Sequence, residues 1–470
     1  MKNLLSILIL SLVILGCIEE EKETFDLAIL NANTVDLVTG QITQQSIFIA
    51  EGRIKKITDA PNIMDYKAKE TVDASETYVL PGFWDNHVHF RGGDSLINAN
   101  KNFLNLFIAN GITTVRDAGG DLTLSVLDWK THVAEGKLIG PTIFTSGPKI
   151  DGPEPTWAGS LAVENNDDIA MALDSLQALG TDFVKLYDSK ISGEAYLETI
   201  RQAEERKLIT SGHMPFTVEL DHTLDAGLDA IEHLYYVMKG CSNREKEITA
   251  KLASKEMGFW QAMPALLASY QDSTAQQTFA NLKQKNVFVV PTLHIGETLS
   301  YLDEVDHTKD AYLQYMGHGI IKTYDGRIQR AMKADDQARK DRKALDTFFG
   351  QLTKSLNDAG VLLLAGSDSG AFNSYTYPGI SLHKEMEAMA KTGMSPLQVL
   401  RTSAYNGALF LGKDADYGTI AVGKIADLVF LEGNPLEDIT NTQRIFSVLK
   451  GNKVYSKQAL ANLLNTSITN

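Results

Sequence analysis

Cysteine is nearly absent: the 470-residue chain has two, Cys17 and Cys241. Two thiols cannot build the disulfide framework that stabilises small secreted domains. Stability must therefore come from a buried core, which a chain of this length can supply. Positive charge is also short. Against 59 acidic residues stand 44 lysines and arginines, a net charge of -15, and an acidic surface excludes nucleic acid as a partner because phosphate binding needs a basic one. The apolar stretch Leu4 to Leu15, interrupted by Ser6 and Ser11, falls short of the roughly 20 residues that span a bilayer. What remains is ordinary for a soluble globular protein, with 44% hydrophobic and 22% charged residues.

That apolar stretch follows Lys2 and has the length of a signal-peptide core. It ends in Ile14-Leu15-Gly16-Cys17, which resembles a bacterial lipoprotein signal, departing from it at Ile14 and Leu15. The resemblance implies cleavage before Cys17 and lipidation of its thiol, which leaves Cys241 alone. Glu19, Glu20, Glu21 and Glu23 follow as a solvated tether and are similar to the acidic export tag of some surface lipoproteins. The expected location is the bacterial cell envelope. The chain is there lipid-anchored at the outer membrane, on its periplasmic or surface face, or secreted.

From Phe25 to about Tyr78 the pattern is that of strands, with Ser46 to Ala50 and Arg53 to Ile57 joined by Glu51-Gly52 as a hairpin. The C-terminus has the same character at Ala426 to Leu431 and around Gly451-Asn452. Between them a β/α rhythm repeats. Helical stretches close at Gly111, Gly180, Gly227 and Gly360, each before a short apolar run, as a left-handed glycine cap followed by a buried parallel strand would. Adding Tyr78 to Trp84, Thr142 to Thr145, Leu208 to Ser211 and Val287 to Pro291 gives eight strands, hence an α/β fold of the (β/α)8 barrel type. Residues 1–16 are then the signal, 17–24 the tether, 25–79 and 413–458 the two parts of a discontinuous β-sandwich, 80–412 the barrel and 459–470 a tail. A charged, helix-favouring insertion spans about 297–358, as a solvated decoration or a lid over the barrel mouth. Ser395-Pro396 opens a helix running to about Leu411.

A barrel carries its chemistry at the C-terminal ends of its strands. The first strand leads into Leu80-Pro81-Gly82-Phe83-Trp84-Asp85-Asn86-His87-Val88-His89-Phe90, and residues two apart on a strand share a face, so His87 and His89 can grip one metal ion. The fourth presents Lys185 within an apolar run, where an unpaired ammonium is costly. The fifth ends at His213, the sixth at His233 and the eighth at Asp368. The separations along His89, Lys185, His213, His233 and Asp368 are 96, 28, 20 and 135 residues, whole numbers of barrel units of roughly 30 residues plus the insertion. This set resembles the amidohydrolase superfamily, in its imidazolonepropionase-like and prolidase-like branch. Gly418-Thr419-Ile420, Gly423-Lys424 and Ala426-Asp427-Leu428 are similar to the C-terminal signature of that superfamily.

The resemblance implies two divalent metal ions. His87, His89 and Asp368 hold the more buried one, His213 and His233 the more exposed one, and Lys185 bridges them as N6-carboxylysine. Imidazoles and carboxylates suit zinc. It also implies a metal-bridging hydroxide as nucleophile, with Asp368 as the catalytic residue that takes its proton. The expected activity is hydrolysis of carbon–nitrogen bonds in acyclic or cyclic amides. An Xaa-Pro-type or other dipeptidase, a lactonase or phosphotriesterase, and a non-catalytic binding lipoprotein stay open. The expected partners are a small-molecule or peptide substrate and the membrane, through the lipid anchor; a homo-oligomer stays open. Tyr187, Tyr235, Tyr236, His294 and the loops Gly147 to Trp157 and Ser369 to Tyr377 are candidates for substrate contact or for packing of the mouth.

Overall fold

A computed structural model of the chain describes residues 23–59 and 66–469. Cys17 and the signal segment lie outside the described residues. Both ends of the chain build one eight-stranded sheet. Thr24–Val35 pairs antiparallel with Ile42–Ala50, which pairs with Arg53–Thr58 across the Glu51-Gly52 turn. The first half of Thr24–Val35 also pairs in parallel with Lys67–Asp73 and its second half with Tyr78–Pro81. Leu428–Leu431 then joins Tyr78–Pro81, followed by Ile445–Lys450 and Lys453–Ser456. The sheet folds back on itself, because Ile54 N donates to Lys424 O at 2.9 Å and Ala426 N to Gly52 O at 2.9 Å. Ile29, Ile47, Ile49, Val79 and Phe430 fill the interior.

The run Tyr78 to Trp84, expected as one barrel strand, is two strands in two sheets. Tyr78–Pro81 belongs to the terminal sheet and Phe83–Val88 opens the barrel. They part at Gly82, where a Cβ would lie 2.3 Å from the Thr113 side chain. The barrel continues through Ile112–Asp117, Thr142–Thr145, Val184–Leu186, Thr210–Gly212, Ala230–Glu232 and Phe288–Val290, all parallel where they pair. Between the third and fourth strands, Asp182 N donates to Thr145 O at 2.8 Å. The eighth strand is irregular and closes the ring. Leu364 N donates to Val289 O at 2.9 Å, Asn86 N to Ala365 O at 3.0 Å and Asp368 N to His87 O at 2.7 Å. Gly180, Gly227 and Gly360 end their helices in the left-handed region, at φ 70°, 103° and 82°.

An aromatic plug of Trp84, Phe144, Phe183, Phe288 and Phe410 shuts the N-terminal end. Ser395 caps the helix after the eighth strand. Further along, Ser403 Oγ accepts from Trp84 N at 2.8 Å and donates to Trp84 O at 2.9 Å, which pins that helix to the first strand.

Two other boundaries differ from expectation. Asp336–Ala359 is the helix linking the seventh strand to the eighth, so the insertion proper is 301–335. It lies on the mouth side, where Phe372 N donates to Thr323 Oγ1 at 2.7 Å and Tyr377 OH to Asp310 Oδ2 at 2.9 Å. The expected tail contains the helix Lys457–Thr466, whose Leu460 is buried and which is anchored by Asn105 Nδ2 donating to Ser467 Oγ at 3.4 Å. Leu460, Leu463 and Leu464 give it one apolar stripe.

Barrel closure leaves no room at Gly212, where a Cβ would lie 2.2 Å from Leu186 O. Gly212→Ala should lower unfolding free energy by about 1–3 kcal/mol, read as a lower midpoint in chemical denaturation. An unchanged midpoint would contradict this packing.

Candidate active site

The strand ends bring the six side chains singled out in the sequence to one place. His87, His89 and Asp368 converge so closely that one ligand atom from each lies within 4.8 Å of the others. Asp368 Oδ1 is 3.4 Å from His87 Nε2 and 3.2 Å from His89 Nε2. The His233 ring stands 5.3 Å from that of His87 and 4.9 Å from that of His213. Lys185 is fully buried, with its Nζ against Glu232 Oε2. Asp368 and His233 both have left-handed backbones, φ 53° and 71°, the strained geometry that recurs at functional sites.

Three imidazoles are oriented from behind. His89 Nδ1 faces Gly119 O at 2.9 Å, His213 Nδ1 faces Asp188 Oδ1 at 3.1 Å and His233 Nδ1 faces Thr292 Oγ1 at 2.7 Å. A carbonyl, a carboxylate and a hydroxyl that itself donates to Pro291 O at 2.8 Å all accept from Nδ1–H. Each ring is thereby left with its Nε2 lone pair free for a cation. Both nitrogens of His87 are buried without a hydrogen-bond partner. Burial lowers all four imidazoles, His87 to about 4, so they are neutral ligands at physiological pH.

Beneath the histidines lies a charged layer that reading strand ends for ligands did not reveal. Arg116 donates to Asn86 O at 2.5 Å, Ser211 Oγ at 2.8 Å and Glu232 Oε1 at 3.1 Å. Ser211 Oγ donates to the same Glu232 oxygen at 2.7 Å, which stands 3.5 Å from His87 Nδ1. Burial first, then the like charges of Lys149 and Arg116, push the Lys185 ammonium well below its usual value. The signal for Glu232 was a carboxylate inside a buried strand next to His233. Asp188 and Thr292 carried none, since their partners are distant in sequence.

Among the substrate-contact candidates, the Tyr187 ring lies tilted with its centroid 4.4 Å from that of His213, and Tyr236 OH donates to Asp188 Oδ2 at 2.8 Å. Tyr235 packs on Phe259 and Phe349. His294 is held by its backbone. Its N–H donates to Glu385 Oε2 at 2.7 Å, at the start of helix Leu293–Ser300. The N-cap of that helix is Thr292, whose hydroxyl is committed to His233. Glu385, from helix Ile380–Lys391, supplies the missing acceptor.

A closed parallel barrel with four imidazoles, a lysine and a carboxylate gathered at its C-terminal mouth defines a class of barrel built to hold metal ions. The chain belongs to the amidohydrolase family, whose model matches residues 78–454. It is 24% identical over 396 residues to an adenine deaminase of Staphylothermus marinus, a match covering 77% of this chain and 61% of that one. It is 23% identical over 409 residues to ochratoxinase of Aspergillus niger, covering 80% and 75%. In fold it is similar to bottromycin amidohydrolase, with TM-score 0.72, 21% identity and coverage of 94% and 89%. A putative prolidase from Bifidobacterium longum superposes with TM-score 0.67 at 20% identity, covering 94% and 98%.

Burial raises the Glu385 carboxyl to about 8 from its ordinary value of 4.5. Between those values the unfolded chain has released the proton and the folded one keeps it, so this group stabilises less as pH rises. Glu385→Gln removes that dependence. The stability of the variant relative to wild type should rise from pH 5 to 7.5, by up to about 1.4 kcal/mol per pH unit, in denaturant titrations at the two pH values. A difference that does not change with pH would refute the assignment.

Proposed function

We propose that the protein is a metal-dependent hydrolase of carbon–nitrogen bonds in amides. The observation that carries this reading is the convergence of His87, His89 and Asp368 within 4.8 Å, with His213, His233 and Lys185 beside them. The donor set fits metal. His87 has two buried bare nitrogens, a cost of several kcal/mol without a partner, and the other three rings are fixed with Nε2 free. His87, His89 and Asp368 would hold one ion and His213 and His233 a second. Lys185, whose ammonium form burial disfavours, would join them as N6-carboxylysine after taking up carbon dioxide. Zinc suits these donors. When bound, such ions lower the pKa of water and polarise a carbonyl.

The chain's own residues supply the rest. Asp368 Oδ1, beside both first-strand imidazoles, accepts a proton from the attacking water and delivers it to the leaving amine. Tyr187 and Tyr236 wall the side next to His213. The names of the relatives, an ochratoxinase and an adenine deaminase, support carbon–nitrogen chemistry. The fold likeness to a putative prolidase and to an Xaa-Pro dipeptidase brings peptides within the class. Anchoring in the envelope through Cys17 remains part of the proposal and rests on the sequence alone.

The test is release of amine from a panel of dipeptides and N-acyl amino acids by metal-replete protein. Asp368→Asn should lower kcat by at least about 100-fold with circular dichroism unchanged. An undiminished kcat would remove Asp368 from its role, and no release from any amide by the wild type would remove the activity.

A further inference from the structure

One carboxylate in the charged layer faces two of the candidate ligands at once. Glu232, fully buried at the end of the sixth strand, accepts at Oε1 from Arg116 Nη2 at 3.1 Å and from Ser211 Oγ at 2.7 Å. That oxygen also stands 3.5 Å from His87 Nδ1. Its other oxygen, Oε2, lies against Lys185 Nζ, and neither of those two atoms has another partner among the described residues. The register of the strands brings this about. Lys185 pairs with Ser211 and Ser211 with Ala230, and Glu232, two residues on from Ala230, shares its face. The Arg116 guanidinium is wedged between Phe183 and Phe410, each ring 5.0 Å from Cζ, which fixes the position from which it holds Glu232.

Both ligands need an acceptor there once they are loaded. A metal on His87 would take Nε2, the nitrogen 3.4 Å from Asp368 Oδ1. The ring proton is then on Nδ1, buried, where an acceptor has to satisfy it. Carboxylation of Lys185 makes the same demand. The lone pair of the neutral amine forms a bond to the carbon of carbon dioxide, and one C=O π pair moves onto oxygen. Of the two amine protons one leaves to solvent and the other stays on nitrogen. The carbamate oxygens serve the metals, whereas the remaining N–H requires an acceptor inside the barrel. Glu232 Oε2 is the acceptor that Nζ already faces.

We infer that Glu232 is a positioning residue shared by the two candidate metal positions. Its Oε1 accepts from His87 Nδ1–H and its Oε2 from the one N–H of carboxylated Lys185, while Arg116 and Ser211 hold the carboxylate in place. Left as an ammonium, Lys185 would add a second cation beside Arg116 with a single carboxylate between them, an unbalanced buried triad. As a carbamate it keeps one donor for Glu232 and carries its charge on the oxygens. A first-strand histidine and the bridging group are thus set by the same side chain, which couples loading of one metal position to the other. The inference deepens the metal-dependent reading and rests on it for the ions and the carbamate, but not on turnover of any amide.

Glu232→Gln separates the two oxygens. Arg116, Ser211 and His87 keep the amide oxygen at the Oε1 position, so the amide NH2 falls against the Lys185 N–H, donor against donor. The protein is reconstituted with zinc and isotopically labelled bicarbonate, then read by carbon NMR for the carbamate and by chelator competition for zinc affinity. Wild type should give a carbamate signal that is absent from Lys185→Ala. In Glu232→Gln, with circular dichroism unchanged, that signal should be lost and the weaker zinc should bind about 10–100-fold less tightly. Glu232→Asp keeps the charge that Arg116 requires and draws the carboxylate back from Nζ. It should change both readouts in the same direction, and it replaces the glutamine variant if that does not fold. An ion pair serving stability alone would lower the unfolding midpoint of these variants and leave the carbamate signal of the folded protein unchanged. A signal and a zinc affinity equal to wild type in a folded variant overturn the inference while the bridging lysine stands. No carbamate signal in the wild type overturns both, and a failure to hydrolyse any amide would overturn the catalytic reading alone.

Discussion

Charge and bare polar atoms shut inside a closed barrel have to be answered by other protein groups or by a ligand, because water cannot do it. Here the interior carries Arg116, Glu232, Lys185, His87 and Asp368, all at most 6% exposed. In the lower layer the protein answers its own charges: Arg116 is met by Glu232, Ser211 and a backbone carbonyl. In the upper layer it does not. His87 has no partner at either nitrogen and Lys185 none in hydrogen-bonding geometry, while the remaining imidazoles are tied down on the side away from the centre. This asymmetry between satisfied and unsatisfied layers is what makes the mouth a site for cations.

The same constraint propagates outward. Thr292 gives its hydroxyl to His233 and so cannot cap the helix it begins. Glu385 is buried to cap that helix in its place, and that burial raises its carboxyl against the pull of the N–H it accepts. Gly212 is forced by the approach of Leu186 O to the fifth strand, one residue before His213. Ordering the imidazoles thus dictates choices on neighbouring strands and on a helix that touches no ligand.

Much of this was legible in the chain because a barrel converts sequence order into position. Short apolar runs after glycine caps gave the strands, and the residues closing them were the ones with metal-binding chemistry. What escaped reading has physical reasons. Tyr78 to Trp84 is one apolar run, and only the fold shows that Gly82 divides it between two sheets. Residues 459–470 read as a tail because the apolar stripe of their helix is short. Asp188 and Thr292 act on histidines of the neighbouring strand, distant in sequence, so no local pattern marks them.

The central claim is that Lys185 joins two metal ions. Elemental analysis of protein purified without chelator tests it most directly, with wild type and Lys185→Ala measured side by side. The account predicts about two equivalents of divalent metal in the wild type and one or fewer in the variant. One equivalent in both would contradict it and return Lys185 to a structural partnership with Glu232.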